Sequence, residues 1–134
     1  MSSHHPLAPP GWAPPRGYSH GVVATGRVIS LSGQVGWDPI AAAITTDDFV
    51  AQVKQALSNV VALLREANAT PEHLVRLTWF ITDRSAYLTH RRAIGTAYRE
   101  VLGSVYPPMS VVVVSALVED RALVEIEATA VVPE

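Results

Sequence analysis

The sequence contains no cysteine, which excludes disulfide bonds, thiolate nucleophiles and cysteine-ligated metal sites. Charged residues are also scarce, at 16% of the chain against about a quarter in a typical globular protein. A chain of 134 residues is nevertheless long enough for one domain with a hydrophobic core. Because so few charges are available to cover the surface, we expect part of it to be buried against copies of the same chain.

The sequence also lacks a strong charge of one sign and a long apolar run. A formal net charge of −2 offers no electrostatic footprint for nucleic acid. No apolar run approaches the roughly 18 residues of a membrane span, and the N-terminus has no signal-peptide pattern. We therefore predict a cytoplasmic protein that binds neither nucleic acid nor membranes. No metal or cofactor is predicted, because His4 and His5 have no third ligand beside them.

Proline content separates the N-terminus from the rest of the chain. Half of the ten prolines lie in residues 1–17, which predicts an extended arm followed by a single domain over residues 18–134. The domain shows hydrophobic periods of strands and helices in the order ββαβαββ. Strands are predicted at 19–24 and 28–32 (paired as a hairpin), 74–82, 110–118 and 122–132. Helices are predicted at 46–68 and 85–103, with Thr46 and Ser85 as their N-caps.

One predicted strand is apolar on both of its faces. Residues 111–118, VVVVSALV, would be buried on both sides of an α+β sheet, but two helices can cover only one side. We therefore predict that a neighbouring subunit covers the other side.

The last strand, ALVEIEATAVV, alternates between apolar and polar positions. Val124, Ile126 and Ala128 share one face with the core, which leaves Glu125 and Glu127 on the opposite face. That is the side on which we expect the neighbouring subunit.

The chain resembles the RidA/YjgF family of small enamine and imine deaminases from Gly17 to Val132. The resemblance rests on the order and spacing of short motifs, none of which is decisive alone. These are Gly17-Tyr18, Ser32-Gly33-Gln34, the helix positions Gln52, Ala56, Leu57 and Asn59, Thr82-Asp83, Tyr106-Pro107-Pro108-Met109-Ser110, and Val124-Glu125-Ile126-Glu127-Ala128.

The resemblance implies a chorismate-mutase-like α+β fold, with two helices on one face of a mixed sheet. It also implies a homotrimer whose sheets form a central barrel, with three clefts between subunits. In such clefts the family hydrolyses the C=N bond of a small imino acid to a keto acid and ammonia. An arginine grips the substrate carboxylate, and a glutamate on the last strand orients or activates water.

Carried over by motif, the resemblance makes Glu125 the catalytic glutamate and places Tyr18 and Gly33 in the pocket. The carboxylate-binding arginine is replaced by Met109, and Val111 stands where cysteine is common. Losing a charge-assisted pair of this kind costs about 2–5 kcal/mol. Substitute cations could come from Arg16, His20 or Arg92. The predicted substrate-binding residues are thus Tyr18, Gly33, Trp37, Met109, Ser110 and Val111.

Three functions are compatible with these residues. The first is a RidA-like hydrolase of an imine, enamine or related compound that is not a typical 2-imino acid deaminase. The second is a non-catalytic trimer that binds a small metabolite in the same clefts. The third, ribonuclease activity, is disfavoured because the chain is acidic and has no basic patch. The retention of Glu125, Tyr18 and Gly33 favours the first.

Overall fold

A four-stranded mixed sheet with helices on one face forms the body of the protein. The computed structural model describes residues 4–134. The strands are β1 (His5–Pro6), β2 (Val22–Val23), β3 (Arg27–Val35), β4 (Leu74–Ile81), β5 (Met109–Val113) and β6 (Val124–Val132). The helices are α1 (Phe49–Glu66), α2 (Arg84–Thr89) and α3 (Arg91–Leu102), with a 3₁₀ turn at Pro71–His73. The predicted α+β class is confirmed.

The closing strand of the chain lies inside the sheet. The strand order is β3-β6-β4-β5, with β6 antiparallel to both neighbours and β5 parallel to β4. Val124 and Ile126 are fully buried against the helices, as their alternation predicted. We call the opposite surface of this sheet the open face, because no helix within residues 4–134 covers it.

The N-cap of helix α1 lies two residues after the predicted position. Asp48, not Thr46, is the cap, and its carboxylate accepts from Ala51 N–H at 2.8 Å. Thr46 instead accepts from the Asp48 N–H at 3.0 Å, so its hydroxyl serves the turn before the helix. The predicted apolar stripe is correct, because its central residues Val53, Leu57 and Val60 are fully buried.

The second predicted helix is two helices, so the prediction of two helices is wrong. Asp83 caps α2, in place of the predicted Ser85, and accepts from Ala86 N–H at 3.1 Å. The break falls at His90, whose φ of −104° and ψ of 19° leave the helical range. Its backbone N–H makes the last i→i−4 bond of α2, to Ala86 O, and its ring Nδ1 lies within hydrogen-bonding distance of the same oxygen.

The predicted hairpin between residues 19–24 and 28–32 is also wrong. Strand β2 contains only Val22–Val23. It was expected to pair with β3 but pairs with β1, His5–Pro6, instead. The pairing is extended by Leu7 N–H, which donates to Gly21 O at 2.9 Å. Strand β3 pairs with β6 instead. The division of the chain at residue 17 stays a prediction.

Strand β5 is shorter than predicted and ends at Val113 rather than Val118. Val112 and Val113 are 41% and 52% exposed, and Val118 lies fully exposed beyond the strand. In a single chain these valines therefore face solvent. Their burial against a neighbouring subunit stays a prediction.

Candidate functional site

Glu125 and Gly33 are adjacent on the open face. Glu125 on β6 pairs with Val35 on β3 and with Phe80 on β4. A register shift between Leu31 and Gln34 brings Gly33 beneath the carboxylate, so that a Cβ there would lie 2.2 Å from Glu125 Oε2. Glycine thus leaves the space that the carboxylate occupies. The half-buried carboxylate has no hydrogen bond or ion pair to any residue in the range 4–134.

A cleft of about 470 Å³ lies on the helical side of the sheet, and we call it the α3 cleft. Its walls are β5, α3 and the segment Arg16–Tyr18. Tyr18 is 40% exposed at its edge, and its ring meets His20 edge-to-face at 5.5 Å. Because paired residues share a sheet face, Met109 and Val111 point to the same side as their partners Leu77 and Trp79, which are buried beneath the helices.

Three stacked aromatic rings line the floor of the α3 cleft. The Trp79 and Tyr98 ring centroids are 6.4 Å apart, those of Tyr98 and Tyr106 are 5.3 Å apart, and both pairs are nearly parallel. Burial, reinforced by the neighbouring Tyr106, raises the pKa of Tyr98 far above its ordinary value. Its phenol therefore stays protonated and donates to Val105 O.

Three arginines line the same cleft. Arg16 comes from the N-terminal segment, and Arg91 and Arg99 come from α3; all three are exposed. Gly95 lies between the two helical arginines, and a Cβ at Gly95 would be 3.2 Å from Arg99 Nη1. No aspartate or glutamate lines the cleft in the part of the chain that the structure describes.

The three candidate cations named from the sequence have different positions. Arg16 lines the α3 cleft, whereas His20 does not and Arg92 lines a separate groove between α1 and α3. Sequence reasoning missed Arg91 and Arg99. A signal was present, because Arg91, Gly95 and Arg99 are spaced four residues apart and therefore share one helix face.

The sheet divides the predicted site residues into separate groups. Tyr18, Met109 and Val111 meet in the α3 cleft, whereas Glu125 and Gly33 lie on the open face. In one chain these two groups do not form a single site.

Of the remaining predicted residues, one shares the open face with Glu125 and the other lies in a loop. Ser110 pairs with Thr78 on the open face, and its hydroxyl accepts from Arg76 Nη2 at 3.4 Å. Trp37 lies in the loop after β3, where its carbonyl accepts from Asn59 Nδ2 at 3.0 Å. Neither residue lines the α3 cleft.

The described residues also bear on metal and membrane binding. Across residues 4–134, no group of three or more histidine, aspartate or glutamate side chains could hold a metal ion. None of the helices in that range is long and apolar enough to cross a membrane.

The comparisons with known proteins agree with the fold. The sequence model of the family described as Endoribonuclease L-PSP matches residues 10–132. A 2-iminobutanoate/2-iminopropanoate deaminase of Capra hircus is 32% identical over 114 residues, covering 85% of this chain and 79% of the deaminase.

Two solved structures show the same similarity. The conserved Rid-family protein YyfB of Yersinia pestis superposes with a TM-score of 0.84 and is 32% identical, covering 96% of this chain and 98% of its own. E. coli TdcF with bound serine has a TM-score of 0.69 and 32% identity, covering 92% of each chain. The resemblance seen in the sequence motifs is confirmed, and the chain belongs to the RidA/YjgF family.

Proposed function

We propose that the protein is a RidA-like hydrolase acting on an imine, enamine or related small molecule in clefts between the subunits of a homotrimer. The observation that carries this proposal is the placement of Glu125 over Gly33. The carboxylate is half-buried, meets no cation among the described residues, and occupies space that only a glycine leaves open. An acceptor held in this way is suited to taking a proton from water.

The division of the site by the sheet supports a shared cleft. Glu125 lies on the open face and the α3 cleft lies on the other, so one chain cannot bring both to one substrate. A second chain whose open face abuts the mouth of the α3 cleft would complete the site. The exposed Val112 on β5 supplies apolar surface for such a contact.

The proposed reaction uses only water as co-substrate. Glu125 accepts a proton from water as the water oxygen bonds to the C=N carbon, and the nitrogen takes up a proton, which gives a carbinolamine. The protonated Glu125 then donates to the amine nitrogen, and the C–N bond breaks as the hydroxyl group loses its proton, which releases ammonia and leaves a carbonyl compound. An enamine enters the same route after its tautomerisation to the imine.

Because Met109 replaces the arginine of the family pattern, the proposed activity is not that of a typical 2-imino acid deaminase. The Capra hircus relative is named for 2-iminobutanoate and 2-iminopropanoate, two small substrates. A neutral thioether cannot form the bidentate pair with their carboxylate. The same replacement favours the second candidate, a trimer that binds a metabolite without turning it over.

The test compares two substitutions on one strand. Glu125→Gln keeps the shape of the side chain but cannot take a proton, so we expect imine hydrolysis to fall about 10²–10⁴-fold. Imines with a carboxylate, generated in situ by an amino acid oxidase, and imines without one, generated by a flavin-dependent amine oxidase, serve as substrates, and ammonia release is measured.

Glu127→Gln is the matched control, since Glu127 is two residues along on the same face and exposed. Its rate should stay within a few-fold of the wild type. Equal losses in both variants would refute the catalytic role of Glu125. Wild-type protein that binds ligands but hydrolyses no imine would instead identify a binding protein.

A further inference from the structure

The α3 cleft combines a cationic mouth with an apolar floor. Arg16, Arg91 and Arg99 are exposed, whereas Trp79, Ile94 and Tyr98 are at most 6% exposed. Small-molecule sites commonly have this composition, in which apolar walls carry the ligand body and a few polar groups fix its orientation. A volume of about 470 Å³ also lies within the usual range for such sites.

The three guanidinium groups are not committed to partners within the chain. None of them forms an ion pair or hydrogen bond with another residue in the range 4–134. Three like charges around one opening repel one another, and a bound anion would relieve that repulsion. Guanidinium groups bind carboxylates through paired hydrogen bonds, so their natural ligand is a carboxylate or a similar oxyanion.

Gly95 is part of this arrangement. A glycine in a helix interior weakens the helix relative to alanine, so its presence in α3 calls for another reason. The near contact with Arg99 Nη1 shows that the arginine side chain lies back across the helix at Gly95. This brings the Arg99 guanidinium onto the cleft side of α3.

The floor of the cleft is suited to a flat ring rather than to a small polar molecule. Trp79 and Tyr98 are buried beneath the cleft, and the half-buried Tyr106, which stacks on Tyr98, supplies the accessible aromatic surface. Met109, also half-buried, adds an adaptable thioether to the lining of the cleft. Trp79 Nε1 is buried without a hydrogen-bond partner among the described residues. Buried donors are rarely left unpaired, so this indole marks a position where an acceptor is missing.

We infer that the α3 cleft takes a carboxylate with a bulky aromatic body, which lies against Met109 and Tyr106 while its negative group binds Arg16, Arg91 and Arg99. The inference rests on the proposed function in that it names the substrate class of the same cleft. A small 2-imino acid would leave much of this volume of about 470 Å³ empty.

Binding of three probes to the intact protein tests the inference. Phenylpyruvate carries both the ring and the carboxylate, pyruvate carries only the acid, and benzyl methyl ketone carries only the ring. We expect phenylpyruvate to bind at least roughly tenfold more tightly than either of the others, measured by calorimetry. Its affinity should also fall as salt is added, because exposed charge pairs are screened.

Substitutions in α3 locate the anion. Arg91→Gln and Arg99→Gln should each weaken phenylpyruvate binding roughly three- to tenfold, a range set by the exposure of these charges. Arg92→Gln is the matched control, because it removes the same charge from the adjacent residue, which faces the other groove. Equal weakening by Arg92→Gln, or no preference for phenylpyruvate over both partial probes, would overturn the inference. Tighter binding of uridine 5′-monophosphate would also overturn it, in favour of a nucleotide.

Ligand binding and imine hydrolysis are measured in separate experiments. A failure of the hydrolase proposal can therefore be distinguished from a failure of the inference about the ligand. If phenylpyruvate binds as expected but the imine of phenylalanine is not hydrolysed, the inference holds and the hydrolase proposal fails. If that imine is hydrolysed without any preference for phenylpyruvate in binding, the hydrolase proposal holds and the inference fails.

Discussion

Two glycines have the same role at the residue scale, because each makes room for a charged side chain. Gly33 leaves space for the Glu125 carboxylate, and Gly95 leaves space for the Arg99 guanidinium. Neither glycine has a positive φ, so glycine is required at these positions for space and not for a left-handed backbone conformation. The absence of a Cβ is thus what permits both functional groups to lie where they do.

Gly33→Ala tests whether the position of the Glu125 carboxylate matters, because it displaces this group without changing its chemistry. The new Cβ would lie 2.2 Å from Oε2 and 2.7 Å from Cγ, so the whole glutamate side chain must move. Misplacement of a catalytic group by about 1 Å can cost on the order of 10²-fold in rate. We therefore expect a loss of roughly 10–100-fold in imine hydrolysis, measured by ammonia release.

The neighbouring Ser32→Ala is the control for Gly33→Ala, because the Ser32 side chain is exposed and forms no hydrogen bond in the described chain. Circular dichroism and light scattering should show both variants folded and in the same assembly. A Gly33→Ala variant with the full wild-type rate would show that the carboxylate is not needed in this position.

At the element scale, two buried amides hold α1 against the loops that lead into the sheet. Gln52 is fully buried; its Nε2 donates to Thr46 O and Arg121 O, and its Oε1 accepts from Leu123 N–H at 2.8 Å. Asn59 donates to Val35 O and Trp37 O. Both amides belong to the helix motif that suggested the family. Their hydrogen bonds to backbone groups indicate that these two residues stabilise the fold.

Gln52→Met should strongly destabilise the protein. The substitution keeps the volume but leaves three backbone groups without their partner, and each buried unsatisfied group costs about 1–3 kcal/mol. With some relief from water, we expect a loss of about 2–4 kcal/mol in the free energy of unfolding, measured with urea.

Gln55→Met is the matched control for Gln52→Met, because Gln55 is one turn away and bonds only the Asn59 side chain. Its cost should stay below about 1 kcal/mol. Similar losses in both variants would mean that helix packing, rather than the backbone contacts of Gln52, sets the stability.

At the scale of the whole molecule, the open face is the feature that calls for a partner. The strands carry Val28 at 66% exposure and Val112 at 41% on this face, which the helices do not cover. A sheet face that no helix of the described chain covers is a candidate contact surface for another chain. The low charge content has the same implication.

We expect the protein to be a trimer and Val112→Glu to dissociate it. A carboxylate at this position would be buried against an apolar surface, which is unfavourable without a partner. Light scattering should give three times the mass of one chain for the wild type and a lower mass for the variant.

Leu88→Glu is the control for Val112→Glu, because Leu88 is equally exposed at 42% but lies on α2. It should leave the mass unchanged. A wild-type protein that is monomeric at micromolar concentration would remove the basis of the shared cleft.

The sequence by itself determined the features that depend on local pattern and periodicity. The alternation in β6 placed Ile126 in the core and Glu125 on the opposite face, and the apolar stripe placed α1 on the sheet. The motifs identified the family. These properties depend on neighbours along the chain, whose spacing fixes the face on which a side chain lies.

Only the tertiary structure decided the features that depend on groups distant in sequence. It paired β2 with β1 rather than β3 and brought Arg16 into the same cleft as Arg99. It also separated Glu125 from Met109, although both had been assigned to one site. Strand partners and cleft composition depend on which segments compete for the same hydrogen bonds and space, and that competition is settled when the whole chain packs.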